Sequence, residues 1–446
     1  MAGTDLQRTW GTPTDAKKYT LSLWLKRCNS GSIDWIMNTA GDFTNINFTA
    51  ADVIEWGEYT SGVTMKLVTD RKFRDPAAWY HLVFAYDSTT SAGDRQRMYV
   101  NGVEETSFST DTNPALNYSS VMNSAVLHSL GSQKAEGYAN YSNVVMAHVH
   151  FTDGTAYAPT AFGETDATSG IWVPKTGPSV TYGDNGFFLK FASGAEGTDS
   201  SGEGNNWTVS NGTLTQTKDT PMNNFATMNP LDNYYQSATF SNGNNTILTD
   251  SGIYAPNTGT GGLQAGLWYW EAKMLGPTAH SLLGILGNAA MRWGEAGGWN
   301  AELGENSQEW AYYGEDGWLR NSNGSTTYGD SYTTDDIIGV YLDLNANKLY
   351  FAKNGTLQNS GTGIAITAVG STHSGYYVPG WTFWGTGGTA SFNFGNGYFG
   401  TTAISGAVAD EGGEGQFKYN PSTGTFDSAS KDFRAICTNN IATYGG

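Results

Sequence analysis

Apolar and polar residues alternate in short runs along most of the chain. In "YTLSLWLKRC" (19–28), Leu21, Leu23 and Leu25 share one face and Ser22, Trp24 and Lys26 the other, which predicts a half-buried strand. "VTMKLVTD" reads the same way. "WYHLVFAYD" (79–87) sets Tyr80, Leu82, Phe84 and Tyr86 on one face, and "SAGD" turns the chain into "RQRMYV". "AVLHSLG" (125–131) and "VVMAHVHFTDG" (144–154) complete at least six short strands before residue 155, the pattern of an antiparallel sandwich. Residues 155–225 are mostly irregular. A long loop does not float free of a compact domain, so this stretch is expected to lie across the first sandwich, with "GFFLKFA" (186–192) returning into its sheet.

Strands recur after "DTPMNNFATMNPLDNYY" (219–235): "TILTDSGIYA", "GLWYWEAKML", "SLLGILG", "EWAYYGEDGWLR" (309–320), "DDIIGVYLDLNANKLYFAKNG" (335–355), "GYYVPGWTFW" and "ASFNFGNGYF". Ile338, Val340, Leu342 and Leu344 fall on one face. A Gly-rich tail ends in one apolar strand, "FRAICT" (433–438). The expected fold is therefore all-β: two antiparallel β-sandwiches, residues 1–218 (core strands 8–160) and 219–400, joined by an irregular surface-hugging linker. A tail, 401–446, packs its final strand back. The phrases "MYVNGVEE" and "YFAKNGTLQ" each place Asn-Gly after a paired strand, because both positions of a tight hairpin turn tolerate φ > 0.

Composition agrees. Gly is 58 of 446 residues and aromatics are 13%, a mixture for many strands and turns; disorder would lack the aromatics. The formal charge of −18 argues against nucleic acid as a partner. Residues 1–80 are neutral, and Lys26, Arg27, Arg71, Lys72 and Arg74 there read either as solvated strand ends or as a face toward an acidic partner. Cys28 and Cys437 are too few for a disulfide scaffold. No apolar leader and no membrane-length run is present, so the expectation is a protein made in a cytoplasm, without membrane insertion.

The first half resembles the laminin-G/concanavalin A-like lectin sandwich through "YTLSLWLKR", "WYHLVFAYD", "RMYVNGVE" and "VVMAHVHFTDGTAYAPTAFG". The second resembles a SPRY domain through "GLWYWEAKM", "WAYYGEDGWLR" and "DDIIGVYLDLNANKLYFAKNG". Together with the linker phrase, "FGETDATSGIWVPK" and "FRAICTNNI", they resemble virion structural proteins of tailed, particularly marine, bacteriophages. That resemblance implies a non-enzymatic virion surface protein, a capsid decoration, knob or short tail fibre, contributing to host attachment. It further implies homotrimers, contacts with other capsid or tail proteins and with a host glycan or protein, and assembly in a bacterial cytoplasm. The lectin-like pattern begins near residue 8 with no heptad shaft, which favours a docked knob. A purely structural decoration is the alternative, and a polysaccharide-degrading tail enzyme a third reading.

Glycosidases on the lectin-like fold carry Glu-x-Asp-x-Glu on one strand. Glu55 and Glu58, and Glu315 and Asp316, approach this without its period-two spacing. His148 and His150 share a strand and read as a metal pair or as packed residues. Relatives of the lectin-like fold hold calcium at one rim; Asp87, Asp94 and Asp153 are the candidates here, and each also reads as a turn former. No other cofactor is expected. Among the tryptophans, Trp293, Trp299, Trp310, Trp318, Trp381 and Trp384 fall in expected loops. Trp268, Trp270 and Trp310 sit in strand patterns and are read as core. Trp293, Trp299 and Trp318, with Tyr313, are the ligand-contact candidates, since exposed aromatics stack on sugars or anchor interfaces.

Overall fold

The computed structural model describes residues 3–41, 43–232, 238–254, 256–287 and 302–445. The chain divides into two compact units, Met1–Gln216 and Thr217–Gly446.

In the first unit an eight-stranded sheet runs in the order Phe108–Thr112, Val63–Thr69, Ile54–Tyr59, Phe43–Phe48, Asp34–Thr39, Leu127–Leu130, Asp5–Thr9, Thr208–Ser210. A six-stranded sheet runs Phe187–Leu189, Val144–Asp153, Lys18–Arg27, Trp79–Asp87, Gln96–Val100, Val103–Glu105. Leu21, Leu23, Leu25, Leu82, Phe84 and Tyr86 meet Ile46, Trp56, Met65 and Leu67 in one core. The strands Asp34–Thr39, Phe43–Phe48 and Ile54–Tyr59 escape the pattern reading because polar Thr44 and Glu58 take core-side positions and a register shift breaks the alternation between Trp35 and Met37. Part of the irregular stretch packs on the outer face of the six-stranded sheet. Phe162 and Tyr182 stack near His150, and the Trp172 indole N–H donates to His81 Nδ1 at 2.9 Å.

One expectation fails here. Arg27 is neither a solvated strand end nor turned toward a partner: it is buried, paired with Asp34 at 3.0 Å and Asp52 at 2.9 Å, and donates to the Phe73 carbonyl. Lys26 is buried too. Arg71 and Arg74 of that group pair near the surface, with Glu105 and Asp52.

In the second unit a nine-stranded sheet follows the path Ala238–Ser241, Thr246–Ser251, Gly385–Asn393, Leu267–Met274, Ile337–Asp343, Lys348–Lys353, Thr356–Leu357, with Ile364–Ala365 paired to Lys348–Lys353 and Arg434–Ala435 to Leu267–Met274 off that path. The facing six-stranded sheet runs Asn257–Thr258, Val378–Phe383, Ser281–Leu286, Glu309–Tyr313, Trp318–Asn321, Gly324–Thr327. Trp268, Trp270, Ile338, Val340 and Leu342 from one sheet meet Leu283, Ile285, Trp310 and Trp381 from the other. Trp381, expected in a loop, lies in a central strand and is buried.

The last residues also depart from expectation. "FRAICT" supplies only a two-residue strand, Arg434–Ala435, parallel to Leu267–Met274. An unforeseen helix, Thr438–Tyr444, follows. Between them and residue 401 the tail lays Phe417, Phe426 and Phe433 over a row of tyrosines, Tyr269, Tyr341 and Tyr350, on the outer face of the nine-stranded sheet. Both Asn-Gly hairpins form as expected. Asn101 and Gly102 have φ of 51° and 80°, and Asn354 and Gly355 have 50° and 81°.

Candidate functional site

The second unit presents an aromatic and charged surface on the outer face of its six-stranded sheet. Alternation sends Trp310 and Tyr312 into the core, so Ala311 and Tyr313 face outward. On the neighbouring strand Trp318 and Arg320 take the outward positions, with Ala311 opposite Arg320. Leu282, Leu286, Leu303 and Val378 form an apolar floor with Ala311 and Tyr313, and Tyr254 and Tyr376 pack against it. The intervening "GEDG" closes the hairpin: Asp316 accepts from the Trp318 N–H at 2.9 Å, and Gly317 takes a positive φ of 74°.

Tyr313 is 7% exposed and Trp318 39%. Tyr313 therefore acts as a platform and Trp318 as a free surface. The Arg320 guanidinium lies 4.4 Å above the Tyr313 ring, held by Asp316 at 3.2 Å and flanked by Glu302 at 3.6 Å. The Tyr313 hydroxyl donates to Glu315 at 2.8 Å and lies 3.0 Å from His280 Nδ1. Burial, then the Glu315 bond, push the Tyr313 hydroxyl pKa up. Burial also raises Glu302 above the ordinary carboxylate range. Trp384, 40% exposed, meets His280 edge to face at 4.8 Å. Beside the floor a cleft of about 260 Å³ is lined by Asn229, Asp232, Thr258, Tyr376 and Val378. That is below the usual ~300–1,000 Å³ of small-molecule sites. The surface offers an indole face, a braced guanidinium and three carboxylates, which is contact chemistry.

Of the four aromatic candidates, the structure places Tyr313 and Trp318 together. Trp293 and Trp299 lie outside the described residues. Trp384 lies in a loop as expected and joins this surface; His280, Arg320 and Glu302 were missed. Their only sequence signal was Arg320 two residues after Trp318, which period two sets on one face.

The other candidates are engaged elsewhere. Glu55 and Glu58 point to opposite faces of their strand. Glu55 pairs with Lys66 at 2.9 Å, whereas Glu58 is buried and accepts from Tyr118, Ser120 and the Val121 N–H. They cannot serve as acid and nucleophile on one glycosidic bond. Asp153 is buried and accepts from Thr14, Asp15 and Asn185 N–H groups and the Asn123 amide. Asp87 accepts from Thr89 and faces Lys18, and Asp94 accepts from Ser91 and pairs with Arg97. Among the described residues no three His, Cys, Asp or Glu are grouped to hold a metal. A bulge separates His148 from His150; His148 takes a φ of 48°, and both rings lie against Phe188.

Comparison with known proteins assigns each unit. Residues 3–159 match the family model described as "Concanavalin A-like lectin/glucanases superfamily", and residues 267–397 match that of the SPRY domain. A Drosophila melanogaster protein, "Ran-binding proteins 9/10 homolog", is 32% identical over 92 residues, which is 20% of this chain and 9% of that protein. The solved SPRY domain of human HERC1 is 19% identical, over 37% of this chain and 96% of that one, with a TM-score of 0.30. Stonustoxin is also 19% identical, over 38% and 27%, with a TM-score of 0.31. Domains of these two kinds are typically non-catalytic and bind; the SPRY domain in particular points to protein–protein contact. The chain thus carries a concanavalin A-like lectin domain followed by a SPRY domain.

Proposed function

We propose that this chain is a non-enzymatic adhesion protein whose SPRY domain grips a protein partner through the Trp318–Arg320 face. The observation behind this reading is an exposed indole beside a braced arginine, set over an apolar floor. Aromatic and Arg anchors of that kind carry most of the energy in protein interfaces. The lectin-like sandwich supplies a rigid second module. The setting we propose is the surface of a tailed-phage virion, as a trimeric knob or short fibre touching the host. Its support is the sequence resemblance of the linker and closing phrases.

The test is binding of purified protein to intact host bacteria and to particles lacking it. Trp318→Ala is expected to weaken host binding by about tenfold or more, the loss of one interface anchor. No host binding by the wild type, together with tight reattachment to the particle, would replace adhesion with a purely structural decoration.

A further inference from the structure

The Gly324–Thr327 strand closes one side of the six-stranded sheet, and all four of its residues are exposed. It pairs with Trp318–Asn321 through a two-residue turn, Ser322 and Asn323, both at positive φ. In such a hairpin the closing pair, Asn321 and Gly324, exchanges both hydrogen bonds, and alternate pairs do the same. Leu319 and Thr326 are then also bonded, whereas Ser325 and Thr327 turn their N–H and C=O groups away from the sheet. Among the described residues no backbone or side-chain group bonds to these outward groups.

Sheet edges are ordinarily blunted by charge, proline or bulges. In the first unit Val103–Glu105 carries two glutamates, and Phe108–Thr112 carries Asp111 and a register shift. The sequence Gly-Ser-Thr-Thr has none of these devices. Backbone amides and carbonyls at alternate positions, flush with a sheet, are a template for one more strand.

We infer that the Gly324–Thr327 edge accepts an extended segment of a partner protein, added antiparallel as a seventh strand and bearing basic residues at alternate positions. The charge around the edge selects that partner. Among the described residues Arg320 donates to Ser325 Oγ and is itself flanked by Asp316 and Glu302, with Glu315 beyond on Tyr313. This face beside the edge thus carries three carboxylates against one guanidinium, an excess that favours lysine or arginine on the outer face of the added strand. A second copy is a poor occupant, since residues 217–446 hold nine Lys and Arg against nineteen Asp and Glu. The choice of a protein partner rests on the binding role proposed for the adjoining face; the open edge does not.

The probe is a synthetic hexapeptide alternating lysine with valine, beside a twin N-methylated at alternate residues. The twin keeps the charge and loses the strand-pairing N–H groups. With the full chain, the first peptide is expected to slow hydrogen exchange at the Ser325 and Thr327 amides, and the twin to bind about tenfold more weakly. Ser325→Pro and Thr327→Pro each remove an outward N–H without touching the hairpin's own bonds, and are expected to give a similar loss. Near-ultraviolet circular dichroism checks their fold, and the twin decides alone if they misfold. Trp318→Ala should leave the exchange protection in place, which separates failure of the edge from failure of the face. Equal binding of the twin, protection confined to other residues, or a dimer abolished by Ser325→Pro overturns the inference.

Discussion

At the scale of single residues, two Asn-Gly pairs some 250 positions apart solve one local problem. Each must reverse a strand within two residues, and each does so at positive φ. Gly355 shows what the solution demands. Its φ is 81°, and a Cβ there would lie 2.5 Å from the Tyr419 ring. Gly355→Ala is expected to lower stability by about 1–2 kcal/mol, read as a lower unfolding midpoint in urea at unchanged slope. An unchanged midpoint would show that the backbone at 355 relaxes freely. Local turn chemistry of this kind was fully legible in the sequence. Exposure of individual tryptophans was legible only in part: the strand pattern put Trp268, Trp270 and Trp310 in the core, where they lie, whereas Trp381, expected in a loop, is buried as well.

Between residues and the whole lie the elements, where a second pattern is written on the faces that alternation assigns to solvent. Tyr269, Tyr341 and Tyr350 occupy outward positions on three adjacent strands. Trp24 and His81 do so in the first unit, stacked at 4.8 Å. Large aromatics on an outer face signal another layer, and each sheet has one: Phe417, Phe426 and Phe433 in one case, Trp172 in the other. Glu271 ties the tail down further by accepting from the Lys418 and Tyr419 N–H groups. Phe433 is fully buried among these tyrosines. Phe433→Ala is therefore expected to cost about 3–5 kcal/mol and to open residues 401–433 to protease while the sandwich core stays resistant. Simultaneous digestion of the core would mean the tail is integral to the sandwich rather than a cover.

For the molecule as a whole, each unit has its own core, and one buried group in each, His81 in the first and Glu271 in the second, responds oppositely to pH. His81 is held as the neutral tautomer, with Nδ1 accepting from Trp172 and Nε2 facing Ser22 Oγ at 2.9 Å. Burial, then the charge of His148, bring its pKa down to about 3. The unfolded chain takes that proton below about 6.5 and the folded one does not, so this stability is complete above pH 6.5 and is lost as pH falls toward 3. Glu271 behaves in reverse. Burial pushes it up to about 7 despite four hydrogen-bond donors. Its contribution is complete below about pH 4.5 and is lost as pH rises to 7. Between pH 4.5 and 6.5, wild type minus His81→Gln should therefore gain stability with pH in the first unit. Wild type minus Glu271→Gln should lose it in the second, by up to roughly 3 kcal/mol. Calorimetry resolving the two transitions reads both slopes, and parallel slopes would refute the assignment.

The sequence by itself determined where most of the strands run, where they turn and that two sandwiches result, because period-two alternation and Asn-Gly conformations are properties of a few consecutive residues; the strands between residues 34 and 59 stayed outside that reading. Tertiary structure alone decided which outward aromatics gained a cover. It also paired Arg27 with Asp34 and Asp52, separated Glu55 from Glu58, and gathered His280, Tyr313, Trp318 and Arg320 on one surface. Those outcomes depend on residues up to a hundred or more positions apart meeting across sheets, and burial and charge pairing belong to the neighbours that packing supplies.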